Sequence, residues 1–312
     1  MDFLIAALGL AILLVSGDVL VRGAVNLSLR LGVPALLVSL TIVAFGTSAP
    51  ELLIAVRAVG EGAAGIALGN VVGSNIANIL LVLGLSALVA CIRVSKLDIR
   101  GTYLTMLGAT LLFIGLCYLG PVTRVHGVVL LMVLAVILVR QGRRALAERR
   151  TGTAGDKVEG ADPDIGWARI GLFIVAGLVG LPVGAELLVQ AATHMAREYG
   201  ISETVIGLTL VAVGTSLPEL ATVVMAAIRG QADVVLGNVV GSNLFNLLAI
   251  IGLASFVGPL PVPPGLLAFD LWVMLAASLL LLPFIFFGWD LSKRWGILLT
   301  GAYAAYIALV IT

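Results

Sequence analysis

Residues 46–78 read GTSAPELLIAVRAVGEGAAGIALGNVVGSNIAN, and residues 214–246 read GTSLPELATVVMAAIRGQADVVLGNVVGSNLFN. Aligned without a gap at an offset of 168, the two stretches are identical at 19 of 33 positions. Similarity of that density within one chain marks a duplicated structural unit. The identities concentrate in Gly, Thr, Ser, Pro, Glu and Asn, with Glu51 matching Glu219.

The chain around this repeat has 312 residues, of which 61% are hydrophobic and 11% charged, and its mean hydropathy is +1.17. A soluble domain needs roughly 25% charged residues to wet its surface. These values exclude a soluble enzyme, a secreted disulfide scaffold and a disordered tail. The net charge of +1 gives no global attraction to nucleic acid. Cys91 and Cys117, like His126 and His194, lack the paired spacing of a metal motif and read as incidental.

Crossing about 30 Å of hydrocarbon takes roughly 20 apolar residues. Ten stretches qualify, at 2–28, 33–57, 63–92, 102–119, 125–142, 166–195, 202–228, 232–256, 266–287 and 292–311. They are continuous apolar runs without two-residue alternation, so they predict helices rather than barrel strands. Met1 and Asp2 supply no basic segment ahead of the first run, which reads as a span and not a cleaved signal. Between the fifth and sixth runs, residues 141–165 hold ten of the 35 charged side chains and read as a hydrated linker. The expected organisation is therefore a five-helix repeat over 1–142, a linker over 143–165 and a second repeat over 166–312.

Basic residues are retained on the cytoplasmic side of a membrane. Placing the linker there puts fourteen Lys and Arg inside, Arg93, Arg100, Arg229 and Lys293 among them, and leaves Arg57, Arg124 and Arg197 outside. Both termini then face the exterior. Arg22 follows Asp18 by one turn in the first span, a spacing that suits an ion pair. Asp18 and Glu186 are related by the same offset but have no proline or hydroxyl cluster beside them, so helix pairing explains them better than ion binding.

Five spans, an odd number, separate the two copies, so the second enters the bilayer from the opposite side. Inverted repeats with interrupted helices are the architecture of secondary transporters, whose substrate site lies near the midplane. The fold expected is an all-α membrane protein of ten transmembrane helices in two inverted five-helix repeats, with helices 2 and 7 broken.

The break follows from Pro50 and Pro218, which lack an N–H and deprive the carbonyls of Gly46 and Gly214 of their helical partner. Thr47 and Ser48 stand four and three residues before Glu51, so hydroxyls and carboxylate share one side of the helix. Thr215, Ser216 and Glu219 repeat that arrangement. Asn70, Ser74 and Asn78 form a further stripe, mirrored by Asn238, Ser242 and Asn246. Every candidate ligand is an oxygen, the preference of Na⁺ and Ca²⁺ and not of zinc or copper. Small and hydroxyl residues also serve as packing glue between membrane helices, the plainer reading for Gly69, Gly73, Gly237 and Gly241. It fails for the glutamates, because a mid-span carboxylate costs about 2.5–3.5 kcal/mol and persists where a ligand offsets the cost.

At these motifs the chain resembles the cation/calcium exchanger superfamily, whose members carry two repeats of G-T-S-x-P-E followed by G-N-x-x-G-S-N. The G-T-S-x-P-E form resembles the sodium/calcium branch more than the proton-coupled one. The resemblance implies that Glu51 and Glu219 are the central calcium ligands, flanked by Thr47 and Thr215. It further implies sodium sites formed by Ser48, Ser216, Ser74 and Ser242 with the backbone oxygens of Ala44 and Ala212, and it places Asn78 and Asn246 at the remaining polar corner. Many relatives carry Asp at one of those two positions, whereas this chain has Asn at both.

The expected function is secondary antiport of Na⁺ against Ca²⁺ by alternating access, with the first span of each half sliding past spans 2, 3, 7 and 8. Proton-coupled exchange of Ca²⁺ or another divalent cation is the alternative, and a cation channel a more distant one. Ca²⁺ and Na⁺ enter as transported substrates; no organic cofactor, enzymatic chemistry, nucleic acid or obligatory protein partner is expected beyond inorganic cations and the lipid bilayer.

Overall fold

Long apolar segments must satisfy every backbone polar group internally, and helices stacked on helices do so. The computed structural model describes residues 2–150, 162, 164–199 and 212–311. The first half contains α1 (Asp2–Leu31), α2 (Ala35–Thr47), α3 (Ala49–Gly60), α4 (Ala64–Val89), α5 (Arg100–Tyr118) and α6 (Arg124–Arg150). The second contains α7 (Trp167–Glu198), α8 (Ala212–Thr215), α9 (Leu217–Ile228), α10 (Ala232–Val257), α11 (Leu266–Phe287) and α12 (Lys293–Ile311).

Seven of these helices, α1, α4, α5, α6, α7, α10 and α11, are long and apolar enough to cross a membrane, and the α2/α3 pair, bent by 44°, makes an eighth. The other two expected spans correspond to α12, of 19 residues, and to the segment ending in α9, whose residues 200–211 lie outside the described residues. One boundary differs clearly from expectation. Helix α6 continues to Arg150, so residues 143–150 are helical rather than tether. RRALAERR is charged but built from strong helix formers, and the Arg144 guanidinium pairs with Asp98 at 2.7 Å. Residues 151–161 and 163 of the expected linker lie outside the described residues.

The layers sort by polarity. Helix α10 is enclosed along its whole apolar window and α4 along most of its own, and within them lie buried Ser74, Asn75 and Asn78 of α4 and Asn238, Ser242, Asn243 and Asn246 of α10. Helices α1, α6 and α7 are largely peripheral, with Leu172, Val175, Val179 and Val183 exposed along α7. Continuous apolar exposure of this kind belongs against lipid.

Helices α1 and α7 pack antiparallel. Gly9 lies against Gly184 and Leu188, Leu20 against Gly177, and Gly23 against Phe173 and Ile174. A Cβ at Gly184 would sit 2.8 Å from the Leu13 nitrogen and 2.9 Å from the Gly9 oxygen, so the approach requires glycine. This pair lies across the broken helices: Leu178 of α7 faces Gly46, Val189 faces Gly214, and Gly17 of α1 faces the Ala221 carbonyl. Asp18 bonds to Arg22 at 3.1 Å and also to Arg229 at the end of α9, so it pairs helices as expected. Glu186 is exposed and accepts from Gln190.

Candidate cation-binding site

The two repeats break at equivalent places with nearly equal backbone angles. Ser48, between α2 and α3, has φ −86° and ψ 8°; Ser216, between α8 and α9, has φ −88° and ψ 3°. Pro50 and Pro218 then fall in the first turn of α3 and α9, where a missing N–H has no helical partner to lose. The same turns carry Glu51 and Glu219, each only 1% exposed. A helix N-terminus favours a carboxylate, which partly offsets that burial.

The glutamates come together from opposite halves. Ser48 donates its hydroxyl to Glu219 Oε1 at 2.9 Å, across the repeat boundary. Glu51 and Glu219 lie within electrostatic reach of one another. Among the described residues neither carboxylate pairs with a basic side chain, so two acidic groups are buried together without a countercharge. The arrangement is not fully symmetric, because the Ser216 hydroxyl has no partner among the described residues.

Hydroxyl and amide groups surround the pair. Thr47 Oγ1 reaches Asn238 Oδ1 at 3.3 Å, and Ser242 Oγ reaches the same oxygen at 3.4 Å. Ser74, Thr215 and Ser242 are buried. Ala44 is buried too, and its carbonyl accepts the Ser48 N–H at 3.1 Å and the Thr47 hydroxyl at 3.3 Å. A cation drawing on the Ala44 oxygen therefore competes with the Thr47 hydroxyl. Ala212 opens α8 directly after the residues that lie outside the description.

Five oxygens around the breaks end without a hydrogen-bond partner among the described residues: Glu51 Oε2, Glu219 Oε2, Asn78 Oδ1, Asn246 Oδ1 and Ser216 Oγ. Two donors, Asn70 Nδ2 and Asn238 Nδ2, share that condition. Buried polar atoms are normally paired, and an excess of bare oxygen acceptors beside two carboxylates is a ligand set of the kind hard cations accept. Asn78 and Asn246 also coincide with widened, π-helical turns at Asn78–Val82 and Phe245–Ile250, a deformation frequent at functional sites.

Two site-building residues, Asn75 and Asn243, were not singled out from the sequence, and Asn238, read there as part of the second stripe, was left out of the ligand set. Asn238 anchors two hydroxyls, and Asn75 and Asn243 link α4 to α10. The signal for Asn75 and Asn243 was the Asn of G-S-N in both repeats, and that for Asn238 the Asn of the second G-N. Of the four glycines read as packing, Gly237 rests on the Leu36 carbonyl and Gly241 on that of Leu40. Of the histidines expected to be incidental, His126 Nδ1 accepts the Thr123 N–H, and His194 meets Asp2 of α1 at 2.8 Å with Glu198 3.9 Å away.

Comparison with known proteins identifies the family and the relatives of this chain. The profile of the family described as "Sodium/calcium exchanger protein" matches residues 1–142 and 170–312. The sodium/calcium exchanger MaX1 of Methanosarcina acetivorans is 34% identical, covering 99% of this chain and 98% of its own length. The inner membrane protein YrbG of Escherichia coli is 33% identical over 97% of this chain and 94% of its own. Among solved structures, the sodium-calcium exchanger NCX_Mj soaked with Na⁺ and Sr²⁺ superposes with a TM-score of 0.84 at 32% identity, covering 98% of this chain and 97% of that one.

Proposed function

Because the chain belongs to the sodium/calcium exchanger protein family, we propose that it moves Na⁺ and Ca²⁺ in opposite directions across a membrane by alternating access. The observation that carries this reading is the meeting of Glu51 and Glu219, buried, linked through the Ser48–Glu219 hydrogen bond, without a basic partner among the described residues and contributed by equivalent breaks in two repeats. Two carboxylates balance the charge of one Ca²⁺. The same oxygens serve Na⁺, so the ions compete, and a carrier that reorients only when loaded converts that competition into coupled flux. Relatives named as sodium/calcium exchangers and a structure soaked with Na⁺ and Sr²⁺ support this choice of cargo.

The ligand set we assign is Glu51, Glu219, Thr47, Thr215, Ser48, Ser216, Ser74, Ser242, Asn78 and Asn246, with the backbone oxygens of Ala44 and Ala212. Antiparallel packing of α1 and α7, which the 168-residue offset relates, supports the inverted ten-span reading. In that reading both termini lie outside and the charged linker is cytoplasmic. The loops at 92–98 and 285–291, joined by the Ile92–Leu291 backbone pair, share a face with Arg93, Arg100 and Arg144, as the charge rule requires.

The test uses the full chain in proteoliposomes loaded with Na⁺ and diluted into Na⁺-free buffer containing labelled Ca²⁺. Uptake should require internal Na⁺. Uptake that follows an imposed pH gradient and ignores Na⁺ would establish proton coupling instead. Flux without any counter-ion would establish a channel.

A further inference from the structure

Four asparagines form a closed, reciprocal clasp between the two repeats. Asn75 Nδ2 lies 3.5 Å from the Asn243 carbonyl, and Asn243 Nδ2 lies 3.4 Å from the Asn75 carbonyl. The side-chain oxygens of the same two residues then accept from the neighbours: Asn78 donates Nδ2 to Asn243 Oδ1 at 3.1 Å, and Asn246 donates Nδ2 to Asn75 Oδ1 at 3.1 Å. Thioethers close the ring at both ends, with Met274 sulfur 3.7 Å from Asn75 Nδ2 and Met106 sulfur 3.9 Å from Asn243 Nδ2. All four asparagines are at most 2% exposed.

Donors in this ring have little freedom. Each Nδ2 of Asn75 and Asn243 faces a backbone carbonyl of the other repeat, which fixes its own Oδ1 toward Asn246 or Asn78. That oxygen in turn accepts only a donor, so the NH2 ends of Asn78 and Asn246 are drawn to the clasp. Their Oδ1 atoms are left buried and without a partner among the described residues. An amide turned the other way would offer two N–H groups where a cation needs an oxygen.

We propose that Asn75 and Asn243 are positioning residues that set the amide orientation of Asn78 and Asn246, so that each turns its carbonyl oxygen to the transported cation. The inference rests on the exchanger reading for the site's ligand, and it goes further in explaining how a neutral amide replaces a carboxylate there. A carboxylate is an oxygen at both ends and needs no orienting partner. An amide does, and the clasp supplies it. Partners that orient a metal ligand typically contribute 10–100-fold to affinity.

The decisive measurement is a double-mutant cycle read by cation affinity of the purified full chain, taken from the Ca²⁺ and Na⁺ dependence of its thermal unfolding. Asn75→Leu should weaken Ca²⁺ binding about 10–100-fold in the wild-type background. In an Asn246→Asp background the same substitution should cost less than about 3-fold, because either end of the carboxylate binds. The mirror pair, Asn243→Leu with and without Asn78→Asp, repeats the test if Asn75→Leu does not fold. Equal losses in both backgrounds would reduce the asparagines to packing, and undiminished affinity would remove them from the site; either result overturns the proposal. Binding is measured apart from flux, so a chain that binds Ca²⁺ yet shows no Na⁺-driven uptake fails the exchange reading alone.

Discussion

At the scale of single residues, the chemistry is that of acidic groups held where water is scarce. Glu51 and Glu219 occupy matching first turns, and substitution by Gln preserves size and helix position while removing the negative charge on which the proposed Ca²⁺ site depends. Glu51→Gln and Glu219→Gln should each reduce Na⁺-driven Ca²⁺ uptake to background while the protein inserts and purifies normally, as size-exclusion profiles in detergent would verify; near-normal uptake by either would place the site elsewhere. The serines at the breaks are less alike. Ser48 donates to Glu219 Oε1, whereas Ser216 Oγ has no partner among the described residues. A hydrogen bond to a charged group contributes about 1.5–3 kcal/mol. Ser48→Ala should therefore lower the unfolding free energy of the ion-free protein by about that amount, and Ser216→Ala by less than about 0.5 kcal/mol. Equal shifts in detergent melts would show that the difference between the halves has no energetic weight.

Among the elements, the enclosed pair α4 and α10 decides how closely the halves meet. Gly241 of α10 meets α2 so tightly that a Cβ would stand 2.5 Å from the Leu40 oxygen and 2.7 Å from the Ala44 Cβ, while Gly108 of α5 has open space. Gly241→Ala should destabilise the protein by about 1–3 kcal/mol through overpacking, and Gly108→Ala should be neutral or slightly stabilising; melting curves of the two, with uptake assays beside them, separate the cases. Indistinguishable melts would mean that α2 yields without cost. Such elements were largely legible in the sequence, because hydropathy marks where a helix enters and leaves lipid. The expected 232–256 and the observed Ala232–Val257 differ by one residue. Hydropathy does not mark where a helix ends in water, so the turns of α6 through Arg150 were missed. The glutamates and hydroxyls were legible because proline and duplication flagged them. The clasp was not, since Asn75 stands about 100° around the helix from Ser74, and which face meets the other repeat depends on packing and on the widened turn at Asn78–Val82.

For the whole molecule, the question is which bodies move. Helices α1 and α7 contact each other along their length through glycine, with Asp2 and His194 paired at one end. Toward the other end, Asp18 reaches Arg229 on the segment that carries Glu219. If the two peripheral helices travel as one unit past the broken helices, a bridge within the unit is harmless and a bridge from it to the rest is not. The comparison requires a background without native thiols, since Cys91 is exposed and Cys117 buried. In a Cys91→Ser, Cys117→Ala chain, Asp2→Cys with His194→Cys joined by a short bis-methanethiosulfonate cross-linker, which attaches through reducible disulfides, should retain most of its Na⁺-driven Ca²⁺ uptake. Asp18→Cys with Arg229→Cys, joined in the same way, should lose uptake and regain it on reduction. Loss of uptake in the first pair would mean that α1 and α7 slide against each other, and retention in the second would fix both helices to the core and require a different gate. Because the reagent and the assay are common to both pairs, only the location of the bridge distinguishes them, and the outcome assigns the moving boundary directly.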